Sequence, residues 1–361
     1  DEAIILANKL QKTAVSNNGK ASNNEGIYIY KSLHAENLSH LNNTGDIYVN
    51  LNGSQNSSLI QTEHLNNANG AYLFLGNHSS FSQQNGKAIN RGEIYVQGLD
   101  ALGKTQITLD DLDNASGILN IDWAKLFFVK DFNNTGKLNA LNNAEIQAKN
   151  LKNAGDINLY NADIAVTNLE NNSAIKASGT AKIKASNTIQ NNKLIHAEGN
   201  LYLDAKNLKN AEKAGIIALK NLNLNTEITE KNTFENSGDV FAANFLTIGN
   251  EQTKQTDVLN KMNTNMAQVS GGNLQAGNGL KVFGHNFINN YNVLTNAGDI
   301  QLMLSGKFEN ERTYYGNKIN ITETWKTPQM YLTSDNDWGD ESFNDSASNT
   351  VIYTTQVAIK G

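Results

Sequence analysis

An asparagine-centred phrase recurs along this chain at intervals near 20 residues, and a period of that length admits few folds. It reads most clearly in Leu151-Lys152-Asn153-Ala154-Gly155-Asp156-Ile157-Asn158-Leu159. Relatives of the phrase open at Leu41, Leu65, Ile89, Leu112, Phe132, Leu169, Ile189, Leu208, Phe234, Phe287 and Phe308. With Leu151 included, successive openings are 24, 24, 23, 20, 19, 18, 20, 19, 26, 53 and 21 residues apart. A unit this short cannot close a core by itself, so its apolar side chains must be buried against the units on either side.

Two positions after the opening residue stands Asn43, Asn67, Asn114, Asn134, Asn153, Asn171, Asn191, Asn210, Asn236, Asn289 or Asn310. The unit at Ile89 departs from this, with Arg91 in that place and Asn90 one position early. Asparagine tolerates left-handed backbone angles and can bond neighbouring amides. Gly45, Gly136, Gly155 or Gly238 follows in the better copies, and glycine reaches positive φ without steric cost. A period-2 run then begins, as in Ile47-Tyr48-Val49-Asn50-Leu51, which is the pattern of a strand buried on one face. A second run, such as Leu201-Tyr202-Leu203-Asp204-Ala205, completes the unit.

Stacked strands sit about 4.8 Å apart, so the repeated amides should form an internal ladder. Sequential parallel strands cross over right-handedly. The expected fold is all-β, a right-handed parallel β-helix of about 20 residues per coil with extra-helical insertions. A leucine-rich horseshoe would need x-x-Leu-x-Leu spacing and outer helical or 3₁₀ segments, which are missing. One β-helix is expected over 1–361, and about fourteen coils would make a rod roughly 65–75 Å long. Regular coils should occupy 20–248 and 271–310, with a further coil starting at 355–361.

Two stretches interrupt the rhythm. In 249–270, Val258, Met262, Met266 and Val269 share one helical face, so a short helix on the side of the solenoid is expected. The stretch 311–354 is aromatic and acidic, holds the single proline, Pro328, and reads as a projecting hairpin. Insertions in repeat proteins commonly carry binding, and aromatic side chains anchor interfaces. Tyr314, Tyr315, Trp325, Tyr331, Trp338 and Phe343 are therefore the candidate receptor-binding residues.

Several function classes lack their residues. A net charge of −6 with no basic stripe argues against nucleic acid as a partner. The apolar runs are far too short to span a bilayer, so no membrane insertion of this segment is expected. No cysteine is present, which removes disulfides, thiol nucleophiles and thiolate metal sites, and suits export as an unfolded chain. No basic-then-apolar leader precedes Asp1, so the chain reads as an internal piece of a longer polypeptide. Asp46, Asp156, Asp239 and Asp299 are placed at equivalent corners, where they cap turns rather than form a catalytic groove. The run Asp335-Asn336-Asp337-Trp338-Gly339-Asp340-Glu341 lacks the ligand spacing and closing Glu of a calcium loop. His40 and His64 each precede an opening residue and should stack on neighbouring coils, without a third metal ligand. No catalytic residue, cofactor or metal is expected.

The combination Leu-x-Asn-x-Gly-x-Ile followed by Ala/Gly-x-x-Leu-x-Leu-x-Ala, repeated over roughly 20–310 and again at 355–361, resembles the filamentous-haemagglutinin repeat. That repeat builds the exoproteins of bacterial two-partner secretion, including haemagglutinin-type adhesins and the contact-dependent growth inhibition effectors of the CdiA family. Neither the secretion domain nor the toxin of those proteins is represented here. The resemblance implies a secreted, bacterial cell-surface filament segment exported through an outer-membrane two-partner secretion transporter. Its partner would be an outer-membrane protein or glycolipid of a target cell. A host adhesin shaft and a β-helix polysaccharide lyase or hydrolase are the alternatives.

Overall fold

The computed structural model describes residues 20–23, 26–29, 34–49, 58–97, 105–122, 124–263, 270–290, 293–310, 314–315, 319–323, 330–332 and 350–353. The chain divides into two compact units, Asp1–Ser178 and Gly179–Gly361. Each is a parallel β-solenoid, and the described residues are all strand, turn or bend with no helix.

In the first unit the described strand segments fall into three columns, each segment paired in parallel with its counterpart one coil away. The opening strand stacks Leu41, Leu65, Ala88, Leu112, Phe132, Leu151 and Leu169 in one column. After the corner, Ile47, Leu73, Ile94, Leu119, Leu138, Ile157 and Ile175 form a second column. The third strand contributes Ile60, Phe81, Ile107, Leu126, Ile146 and Ile164. All of these are buried, and the residues alternating with them face outward, as the strand period requires. Burying each large side chain contributes about 1.5–3 kcal/mol, gained only when a neighbouring coil is present. The gap left among Leu73, Phe81, Ile94, Ile107, Leu119 and Phe128 is about 10 Å³, so the interior is filled rather than hollow.

This register corrects one opening. Ala88, not Ile89, pairs with Leu65 and Leu112, and Asn90 then falls in step with Asn67 and Asn114. The small inward residue hid the phase of the repeat.

The second unit uses the same plan. Its opening column is Leu208, Phe234, Val258, Phe287 and Phe308, with Ile189 before Leu208. Val258 lies in the strand Thr256–Asn260 and is fully buried, so the expected helical face is corrected at this residue. The 53-residue step from Phe234 to Phe287 is thus two coils of 24 and 29 residues. Met262–Asn263 pairs antiparallel with Ser270–Gly271, a small hairpin set between coil strands, while Met266 and Val269 lie outside the described residues.

The expected projection at 311–354 is corrected in its first part. Tyr314–Tyr315, Ile319–Glu323 and Met330–Leu332 pair in parallel with the coil strands beginning at Val293, Ile300 and Phe308. They continue the stack by another coil, with Met330 in register with Phe308. The strand Thr350–Tyr353 then runs antiparallel to Ile319–Glu323. Residues 355–361, where the start of a further coil was expected, lie outside the described residues.

Candidate functional surface

The repeated asparagines form the ladder that the spacing predicts. In the first unit each Nδ2 donates to the next Oδ1, from Asn43 to Asn67 at 2.9 Å, Asn90 at 2.8 Å, Asn114 at 2.8 Å and Asn134 at 2.7 Å. It continues to Asn153 at 2.8 Å and Asn171 at 2.9 Å. In the second unit Asn191, Asn210, Asn236, Asn260 and Asn289 are joined by bonds of 2.7–2.9 Å. The other amide hydrogen is used as well: Asn67 donates to the Glu93 carbonyl and Asn114 to the Lys137 carbonyl, both at 3.1 Å. These side chains are fully or almost fully buried, and their donors are matched one by one. The register position of Asn310 is opposite Asn289.

The corner glycines have a different reason from the one their type suggests. Gly136, Gly155 and Gly238 do not have positive φ; among the described glycines Gly70, Gly249 and the nearly extended Gly279 do. A Cβ on Gly136 would overlap the carbonyl oxygen of Gly117, and one on Gly155 that of Gly136. Coils meet so closely at this corner that only hydrogen fits.

The sequence reading missed a second set of ladders on the outside. Asn158 donates to Asn139 at 3.1 Å, Asn139 to Asn120 at 2.8 Å, and Asn120 to the Glu93 carboxylate at 2.7 Å. Asn168 donates to Asn150 at 2.8 Å, and Asn150 to Asp131 at 2.6 Å. In the second unit Asn273 donates to Asp239 at 2.6 Å and Asn286 to Asp257 at 2.8 Å. Each chain of amides ends on a carboxylate, which is the stronger acceptor. The signal was a spacing of amide and acid residues at outward strand positions, in phase with the inner asparagines.

An aromatic stripe covers part of one outer face of the first unit. Tyr48 packs against Tyr72 and Phe74 with ring centroids 5.3 and 5.9 Å apart, and Phe74 stacks on Tyr95 at 5.6 Å. Tyr72 lies in register between Asp46 and Glu93. Burial, followed by the negative charge of Glu93 and further neighbours, pushes its phenol up to about 12. Tyr95 is raised too, by burial and then by Asp122 and Glu93. His40 and His64 stack as expected, with ring centroids 4.7 Å apart. Among the described residues no group of three His, Asp or Glu side chains is placed to hold a metal ion.

The corner aspartates are only partly equivalent. Asp46 and Asp156 occupy one column, separated by Tyr72, Glu93, Ile118 and Lys137. In the second unit Asp239 holds the matching place, flanked by Gly215 and Asn273. Asp299 does not: it precedes Ile300, which pairs with Leu280 in the third strand of its coil. The phrase Leu294-Thr295-Asn296-Ala297-Gly298-Asp299 imitates an opening one strand too late. Asp299 instead helps to line a surface pocket of about 320 Å³ with Phe245, Asn278, Gly279, Lys281 and Gln301.

Of the six aromatic residues singled out for receptor binding, Tyr314, Tyr315 and Tyr331 are in strands of the last coil. Trp325, Trp338 and Phe343 lie outside the described residues, as does the acidic run 335–341. Among the described residues no helix is long and apolar enough to cross a membrane. No protein-family model, curated protein or solved structure matches the chain.

Proposed function

We propose that this chain is a segment of a secreted bacterial surface filament whose role is to bind a receptor on a target cell, in the manner of a CdiA-type contact-dependent growth inhibition protein. The observation carrying this reading is how the repeat is spent. Leu151, Asn153, Gly155 and Ile157 all serve stacking: buried column, amide ladder, close corner, buried column. The phrase that resembles the filamentous-haemagglutinin repeat is therefore a scaffold phrase, and partner recognition falls to outward residues and to departures from the repeat. The aromatic residues of 311–354 are the densest such set in the sequence, three of them (Tyr314, Tyr315 and Tyr331) carried on strands that continue the stack, and the partner is an outer-membrane protein or glycolipid. Export through an outer-membrane two-partner secretion transporter fits a chain without cysteine.

A catalytic role is not assigned. In the Asp46 column tyrosine, isoleucine and lysine intervene between carboxylates, so no three successive coils present acids there. The test is saturable binding of the fluorescently labelled full chain to Gram-negative cells, compared with a variant carrying alanine at Tyr314, Tyr315, Trp325, Tyr331, Trp338 and Phe343. The expected result is saturable binding by the parent chain and at least about tenfold weaker binding by the variant, as for loss of aromatic hot spots. Its far-UV circular dichroism should stay unchanged. Absence of saturable binding, or equal binding by the variant, would overturn the proposal.

A further inference from the structure

The pocket beside Phe245 is built by the omission of one side chain from an outward column. Phe245 pairs with Gly279 on the next coil, and Asp299 immediately precedes Ile300, the partner of Leu280, on the coil after that; Thr247, Lys281 and Gln301 are in register two residues along. Successive coils are about 4.8 Å apart, so Phe245 and Asp299 flank Gly279 from the coils on either side and line one pocket with it. Gly279 forms its floor: a Cβ there would lie 3.5 and 3.6 Å from the Cδ1 and Cε1 atoms of Phe245. Phe245 is an exposed aromatic residue, with 48% of its surface accessible. Asn278 closes one side, and its Nδ2 is bonded to Asn244 at 3.3 Å. Among the described residues the side chains of Lys281, Asp299 and Gln301 have no hydrogen-bond partner or ion pair.

We propose that this pocket binds one pyranose unit of an uncharged oligosaccharide. Its volume of about 320 Å³ lies at the small end of ligand sites, the range suited to a single ring. A pyranose has an apolar C–H face, which the Phe245 ring accepts, and a rim of hydroxyls that both donate and accept. Asp299 supplies acceptors, Lys281 supplies donors, and the amides of Asn278 and Gln301 supply both. Among the described residues of the rim, one cation and one anion leave no net charge. An anionic ligand would meet Asp299, a cationic one would meet Lys281, and a wholly apolar one would leave both uncompensated. Binding here does not depend on the receptor-binding role proposed above, since none of the described lining residues is among the six aromatic residues assigned to it.

The experiment is saturation-transfer difference NMR on the full chain, with maltotriose, chitotriose and lactose as probes. Transfer to ring protons of at least one probe is expected. Phe245→Ala, at an exposed position, should abolish it. Asp299→Asn should weaken binding about tenfold, the effect of losing one charge-assisted hydrogen bond. Circular dichroism of both variants should match the parent chain. Absence of transfer to all three probes, or transfer undiminished in Phe245→Ala, would overturn the assignment.

Discussion

Asparagine 134 offers the sharpest perturbation of the inner ladder. It accepts from Asn114 at 2.7 Å, donates to Asn153 at 2.8 Å, and gives its other hydrogen to the Asp156 carbonyl at 3.4 Å. Asn134→Ala leaves one Asn114 N–H and the Asn153 oxygen without their partner in the buried interior. Each orphaned buried group costs about 1–3 kcal/mol, so the variant should lose about 2–6 kcal/mol. Asn134→Asp refines the argument. A carboxylate can accept from Asn114 but has no hydrogen for Asn153, and a buried unpaired charge costs several kcal/mol more. Burial raises that carboxyl above its unfolded value, so the folded state binds the extra proton and the deficit should shrink as pH falls. The exposed Asn158→Ala is the control, with an expected change within about 0.5 kcal/mol. Because coils in a solenoid unfold partly independently, the assay is hydrogen exchange of the coil 131–153 alongside urea unfolding. Equal effects of Asn134→Ala and Asn158→Ala would refute the reasoning, as would an Asn134→Asp deficit that grows toward acid pH.

Two further outcomes follow from the same geometry. Gly136→Ala should destabilise by about 1–3 kcal/mol in thermal unfolding, because its methyl meets the rigid Gly117 carbonyl. A neutral effect would mean that the corner is looser than described. Tyr72, held neutral to about pH 12, should give the last tyrosinate step in a spectrophotometric titration, and Tyr72→Phe should remove that step. Since its folded value lies above the ordinary 10, folding favours the neutral phenol; that contribution is present below pH 10 and lost as pH rises through 12. A last step that survives in Tyr72→Phe would contradict the placement of Tyr72 between Asp46 and Glu93.

The fold was legible because its two strongest signals, inward apolar residues and inward asparagines, are both needed once per coil. The coil at Ala88 was misphased because a small residue fills the column where larger neighbours leave little to pack. The coil at Val258 was read as helical because Val258 and Met262 are four apart, although Asn260 stood two after Val258 as the repeat demands. Spacing of four suits a helix only where nothing pairs with the backbone, and here two neighbouring coils do. The phrase ending in Asp299 shows the opposite error, a local match with no column to join. Surface features were less legible still. The outer amide ladders and the Phe245 pocket depend on which residues stand one coil apart, and variable coil lengths conceal that until the register is known.

The central claim is that side-chain amides far apart in sequence touch in one ordered file. In an amide-resolved NOESY of the labelled chain, the Hδ2 protons of Asn114, Asn134 and Asn153 should show contacts only from each to the next, along the order of the ladder. Exchange-labile, mutually isolated amides at those three positions would contradict the stacked-coil structure itself.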